Sequence, residues 1–281
     1  MIIDFHTHVF SPDVIANREA YLAREEWFAR LYGSPQARMA RVSELIGEMD
    51  RCGVDRAVVC GFAWKSFDLY VETNSYIADA AARYPERLVG LANVPPLHPE
   101  AIRELDRCLG LGLKGVGELK PLGQHFDLDD EAGLEPFWEF AAAHDLPVMV
   151  HLSEPVGRKY PGKGPTSPRK GYNLALRHPE LRLIYSHWGG GLAFFELMPD
   201  VREALANVWY DCSASPYLYD ASVYRLAAEA VGSRKILFGS DYPLIPMDRY
   251  FGDIEKSGLP AADREAILGG SGQELLRMVG A

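Results

Sequence analysis

Short apolar runs alternate along this chain with longer stretches whose apolar positions step by three and four residues. The runs fall at residues 1–8, 56–62, 88–94, 114–119, 147–152, 181–186, 208–212 and 235–238, and their richness in Val, Ile and Leu predicts eight β-strands. Between them, Met39, Val42, Leu45, Ile46 and Met49 mark one face of a helix over 37–52 that stops at Gly53. Similar patterns predict helices near 71–84, 99–109, 131–144, 168–178, 194–206 and 220–231, and two polar helical stretches close the chain. Strands that alternate with helices form parallel sheets, and eight such units are the sequence form of a (β/α)8 TIM barrel. No low-complexity linker, composition break or short repeat interrupts the pattern, so residues 1–281 are expected to form a single domain.

Two stretches depart from the pattern. Residues 10–36 carry Ser11, Pro12, Gly33 and Pro35 around a polar-aromatic segment from Tyr21 to Tyr32, which predicts a loop excursion with a short helix, one reading of which is a lid. Residues 153–172 separate the fifth strand from its helix by far more than an ordinary βα loop. This loop holds Arg158, Lys159, Lys163, Arg169 and Lys170 against the single carboxylate Glu154. It is expected to clamp an anionic substrate, the alternative being a solvated surface loop.

Composition narrows the classes. With 29 Lys and Arg against 39 Asp and Glu, the formal charge is -10, which argues against a nucleic-acid backbone as the main partner. A hydrophobic content of 48% supplies a full core. Cys52, Cys60, Cys108 and Cys212 form no C-x-x-C pair and read as reduced thiols. A strand that begins at Met1 leaves no room for a signal peptide, and no apolar run reaches the length of a membrane span, so a cytoplasmic protein is expected. A small molecule is the expected partner, and an exposed helical face could support a homodimer.

Candidate chemistry gathers at strand ends. Residues two apart on a strand share a face, so the imidazoles of His6 and His8 can converge on one ion. Glu118, His151, His187 and Asp241 stand at the carboxyl ends of strands four, five, six and eight, the rim where barrels keep their sites. Six groups of metal-ligand type on five strands predict a metal centre, and the nitrogen-plus-carboxylate mixture suits Zn²⁺, with Mn²⁺ or Fe²⁺ as alternatives. His98, His125, His144 and His178 lie in helical or loop contexts and read as surface residues. Trp188 and Trp64 follow strand ends and could wall a planar substrate or simply pack in the core. Gly189, Gly190 and Gly191 read as backbone passing close to the metal.

The ordered set His6-Thr7-His8, His151, His187-Trp188-Gly189-Gly190-Gly191, Trp209-Tyr210-Asp211-Cys212-Ser213-Ala214 and Gly239-Ser240-Asp241-Tyr242-Pro243 resembles the amidohydrolase superfamily. Within it the chain is similar to the amidohydrolase-2 branch that includes aminocarboxymuconate-semialdehyde decarboxylase. The resemblance implies His6, His8, His151 and Asp241 as ligands of the principal metal. It implies His187 as a ligand of a second ion or a catalytic partner, and Asp241 as the group that handles the proton. One or two ions are compatible with it: Glu118 could bridge a pair, and Lys120 could be a modified lysine, a substrate cation or the partner of a buried Glu118–Lys120 pair. Where the family often places Asn after a late Gly-Gly, this chain has Gly269-Gly270-Ser271-Gly272.

The function expected from these residues is a metal-dependent hydrolase acting on a small, anionic organic substrate. A metal-activated water attacks, Asp241 serves as general base and His187 stabilises the oxyanion. Arg158, Lys159, Lys120 and Trp188 are the expected substrate contacts. The alternative is a non-hydrolytic, metal-dependent decarboxylase in which Asp241 or His187 moves protons at carbon. A histidinol-phosphatase-like phosphoesterase and a catalytically silent barrel are weaker readings.

Overall fold

The computed structural model describes all 281 residues. Its strands are β1 (Ile3–His8), β2 (Arg56–Cys60), β3 (Leu88–Gly90), β4 (Val116–Leu119), β5 (Pro147–His151), β6 (Arg182–Ser186), β7 (Val208–Asp211) and β8 (Ile236–Leu237). Neighbours pair in parallel and in chain order, as β1-β2-β3 and β4-β5-β6-β7-β8. A bridge from Ala92 to Val116 joins the two groups on one side. On the other, Phe5 N donates to Phe238 O (2.7 Å), Asp241 N to His6 O (2.8 Å) and His8 N to Tyr242 O (2.7 Å), closing a (β/α)8 barrel.

Side-chain alternation sorts the strands into two cores. Ile3, Phe5, Val58, Cys60, Val89, Met149, Ile184 and Leu237 fill the barrel interior together with Leu275 and Leu276. Ala57, Val59, Leu88, Val148, Val150, Leu183 and Tyr185 belong to the larger core outside it.

Two strands break the alternation where chemistry is expected. The register of β1 shifts between Asp4 and Thr7, which lets Phe5 plug the barrel while His6 and His8 still meet at the rim. That of β4 shifts between Val116 and Leu119, both of which pack in the outer core while Glu118 reaches the histidines. Gly117 makes this possible: its φ is +145°, and a Cβ there would meet Met149 Cβ at 2.6 Å.

The helices follow the predicted order. They are α1 (Pro12–Ala16), α2 (Arg18–Arg24), α3 (Glu26–Tyr32), α4 (Val42–Cys52), α5 (Phe67–Arg83), α6 (Ala101–Gly110), α7 (Glu131–Ala143), α8 (Pro168–Arg177), α9 (Pro199–Ala204), α10 (Ser215–Leu218), α11 (Val223–Val231), α12 (Asp248–Lys256), α13 (Ala261–Glu265) and α14 (Ser271–Met278). The first excursion is thus three short helices rather than one. Helix α4 begins five residues after the expected position 37, where the Glu44 carboxylate accepts from Arg41 N (2.8 Å) and fixes the start, and Gly53 ends it at φ 69°. The helix expected over 194–206 is replaced by 3₁₀ turns over His187–Leu197 and the short α9. The chain there first turns left-handed, with φ between 57° and 97° from His187 to Gly191. No helix is long and apolar enough to cross a membrane, and all four cysteines are free.

Candidate metal centre

The centre is built outward from β1. The Nε2 atoms of His6 and His8 lie 3.0 Å apart. Each ring is held by its other nitrogen: His6 Nδ1 lies 2.8 Å from Asp211 Oδ2 and His8 Nδ1 lies 3.1 Å from Gly61 O. A ring that donates through Nδ1 presents the Nε2 lone pair outward, the form a metal needs. Asp211 is itself fixed, because its Oδ1 accepts from His187 N (3.0 Å), Ser213 N (2.9 Å) and Ser213 Oγ. Burial alone would raise the Asp211 carboxyl, but the charge and hydrogen bond of His6 outweigh it and bring the pKa to about 2.

Asp241, at φ 57°, turns its Oδ1 to 3.5 Å from His8 Nε2 and 3.8 Å from His6 Nε2. Glu118 stands between two histidine pairs. Its Oε2 lies 3.9 and 4.0 Å from the Nε2 atoms of His6 and His8, while Oε1 lies 2.9 Å from His151 Nδ1 and 3.7 Å from His187 Nε2. His151 Nδ1 and His187 Nε2 are 3.1 Å apart, and Ser153 and Ser213 hold the far sides of these rings. Two donors bound to one ion at about 2.1 Å stand roughly 3–3.5 Å from each other, so the closest separations fit a shared cation. Charge fits as well. Burial disfavours an imidazolium at His6, yet Asp211 and Glu118 overcome that and raise its pKa to about 10, a negative pocket that a divalent cation would satisfy instead of a proton. Burial would likewise raise Glu118, but His151 and His6 hold it well below the usual carboxylate range. The donors form two groups, His6–His8–Asp241 and Glu118–His151–His187.

Above the cluster opens a cavity of about 340 Å³. Its aromatic walls are Trp27 and Tyr32 of α3, Phe62, Tyr160 and Tyr217, and its cations are Arg38, Lys120 and Arg158. Lys120 is buried there; burial pushes its pKa down to about 8 against the pull of Glu118 and Asp241. The Glu118–Lys120 ion pair weighed from sequence is not formed: Glu118 turns its oxygens to histidines, and no ion pair joins it to Lys120.

Several expected contacts are corrected. Lys159 is exposed and does not line the cavity. Trp188 is fully buried below it, donating to Ser215 Oγ (2.7 Å) with its ring against Tyr224, so it is a core residue. Trp64 packs in an aromatic cluster with Phe10, Phe28 and Phe62. Of the loop's five cations only Arg158 reaches the cavity, with its guanidinium donating to Tyr217 O (2.7 Å). Lys163 is turned back onto the loop's own carbonyls at Val156 and Arg158, and Lys170 pairs with Asp127. The glycine run approaches the loop rather than the cluster, since a Cβ on Gly190 would meet Ser153 C and O at 2.6 Å. Asp211, Ser213 and Arg38 went unassigned in the sequence. The Trp209–Ala214 motif marked the neighbourhood of the first two, and nothing in the local pattern marked Arg38.

The family model described as Amidohydrolase (Amidohydro_2) matches residues 3–278. Among curated proteins the chain is 27% identical over 248 residues to gamma-resorcylate decarboxylase of Polaromonas sp. (strain JS666 / ATCC BAA-500), covering 73% of this chain and 75% of that one. It is 26% identical over 249 residues to 2-amino-3-carboxymuconate-6-semialdehyde decarboxylase of Dictyostelium discoideum, covering 75% and 67%. Among solved structures it superposes on 5-carboxyvanillate decarboxylase from Sphingomonas paucimobilis with a TM-score of 0.77 at 19% identity, covering 98% of each chain. It superposes on a manganese-bound dihydroxybenzoic acid decarboxylase from Polaromonas sp. JS666 with a TM-score of 0.72 at 20% identity, covering 99% and 97%. At these identities the structural likenesses establish the fold. The curated relatives overturn the expected hydrolysis: both are named as enzymes that break a carbon–carbon bond, not as hydrolases.

Proposed function

This chain belongs to the amidohydrolase family, and on that premise we propose that it is a metal-dependent decarboxylase of a small, planar, unsaturated or aromatic acid. The observation that carries the reading is a four-histidine, two-carboxylate cluster at the floor of an aromatic-walled, cation-bearing cavity, in a chain related in sequence to named decarboxylases. Flat walls such as Trp27, Tyr32 and Phe62 suit a conjugated substrate.

In this reading His6, His8 and Asp241 would hold one ion, and Glu118, His151 and His187 would supply the neighbouring donors, for the same ion or for a second. Mn²⁺ or Zn²⁺ suits the donors, and the manganese in the Polaromonas structure favours the former. When bound, such an ion supplies a Lewis acid that orients the substrate's oxygens and draws off charge. The chain's own groups do the rest. Asp211 and Ser213 hold His6 and His187 in register, and the aromatic walls keep the conjugated plane fixed as its bond to the carboxylate breaks. The electron pair stays on carbon, CO₂ leaves, and Asp241 or His187, both lining the cavity, delivers the proton that replaces it.

The test is metal-reconstituted protein with a panel of aromatic and unsaturated acids in D₂O, followed for CO₂ release and for deuterium at the vacated carbon. Asp241→Asn and His187→Gln should each lower kcat by about 10²-fold or more if both serve the proton. A product that retains its carboxylate and has gained water would sink the reading.

A further inference from the structure

Residues 11–39 leave the barrel and return to it at a single neck, where Phe10 N donates to Ala40 O (2.8 Å). No residue of 11–39 exchanges a backbone–backbone hydrogen bond with the rest of the chain. The polar side chains of the segment also turn inward on it: Arg18 donates to Tyr32 O and Ser34 O, and Tyr21 and Asn17 donate to Asp13. Glu25, between α2 and α3, is the exception. It is 1% exposed, and its carboxylate accepts from Lys65 N (2.6 Å) and Ser66 N (3.3 Å) through Oε2 and from Ser66 Oγ (2.5 Å) through Oε1. Ser66 immediately precedes α5, whose N-terminal end favours a negative charge.

Everything else that seats the segment is apolar. Val14, Tyr21, Trp27 and Phe28 pack against Phe62 and Trp64 in a core separate from the two of the barrel. Helices α1, α2 and α3 are 5, 7 and 7 residues long, too short to persist without that support. The segment therefore holds or loosens as one body. A carboxylate that water solvates again on release contributes only modest net stability, so the docking is reversible. Trp27, Leu31 and Tyr32 belong to this segment and line the cavity, so undocking removes one of its walls.

We propose that residues 11–39 form a cap that undocks from the barrel as a unit, and that Glu25 is the positioning residue that latches it, and with it the Trp27–Tyr32 wall of the cavity. The inference concerns the wall and not the reaction, and it stands whichever bond is broken beneath it.

Hydrogen–deuterium exchange, read by mass spectrometry on the manganese-loaded full chain, tests it. In the wild type the amides of α1, α2 and α3 should exchange together, about 10-fold or more faster than those of β1, β5 and β6. Glu25→Ala should accelerate the α1–α3 amides by a further factor of about 10 to 100, the scale of hydrogen bonds lost from a charged acceptor, and leave the strands unchanged. Glu25→Gln keeps one acceptor oxygen and should accelerate them less. Ser66→Ala, at an exposed residue, loosens the same latch from the barrel side should Glu25→Ala fail to fold. Exchange of α1–α3 only in step with the strands in the wild type would overturn the cap. Equal acceleration of the strands in the latch variants, or none in α1–α3, would overturn the role of Glu25.

Discussion

At the scale of single residues, the site depends on groups that touch no ion. His6 can offer Nε2 because Asp211 takes its Nδ1 at 2.8 Å, and Asp211 is pinned by His187 N and Ser213 N. Asp211→Asn should therefore lower metal affinity by about 10- to 100-fold with the barrel intact, read by competition with a chelator and checked by circular dichroism. Wild-type affinity in the variant would show that Asp211 does not set the ring. Glu118→Gln addresses the count of ions. Because each Glu118 oxygen faces one histidine pair, loss of a bridge should reduce bound metal per chain from two to one. If Glu118 serves a single ion, stoichiometry stays at one and affinity falls. Elemental analysis separates these outcomes. The histidines and Asp241 were legible in the sequence because they stand at predicted strand ends. Asp211 was not, since a buried carboxylate reveals its role only through a partner 205 positions away.

At the scale of elements, periodicity located the strands and most helices and missed what lies between them. The 10–36 excursion carries too few periodic positions to reveal three helices, yet Trp27 and Tyr32 on α3 form cavity wall. A Cβ on Gly123 would meet Trp27 Cδ1 at 2.7 Å and Nε1 at 2.8 Å. Gly123→Val should push that ring and raise KM with little change in kcat, which steady-state kinetics can separate; a fall in kcat alone would place Trp27 outside substrate binding. The basic loop brings only Arg158 of its five cations to the cavity, because sequence counts charges but not their partners, and Lys163 and Lys170 are already engaged. Element packing also carries a pH signature remote from the metal. On α6, burial would raise the Glu104 carboxyl, but hydrogen bonds from Arg107, Asn74 and Cys108 hold it below 4.5, its ordinary value. Its stabilising contribution is then complete above that value and is lost as pH falls through the depressed folded pKa. Glu104→Gln should cost about 1–3 kcal/mol at pH 7, and urea melts at decreasing pH should show the gap to wild type closing below about 4.5. A gap independent of pH would assign the effect to packing rather than charge.

At the scale of the whole molecule, the barrel was readable because eight strand–helix units admit few parallel closures, while the bond broken was not, since it depends on loops and walls that vary over one scaffold. The same closure couples metal to folding. The donors run from residue 6 to residue 241 and come from β1, β4, β5, the turn after β6 and the turn after β8, so only the closed barrel assembles them. An ion that binds this state and not the unfolded chain stabilises it by about 2.7 kcal/mol at a hundred times its Kd, equivalent to roughly 5 °C in Tm for a chain of this size. Chelation should lower Tm by that order, and added Mn²⁺ or Zn²⁺ should restore it in a concentration-dependent way. Asp241→Asn should shrink the shift. Cys52→Ala should not, although Glu48, Cys52 and Asp248 also lie close together, because Arg51 already pairs with both of those carboxylates at 2.8 and 2.6 Å. A Tm indifferent to chelator and metal would mean that the rim histidines and carboxylates hold no ion in the folded protein.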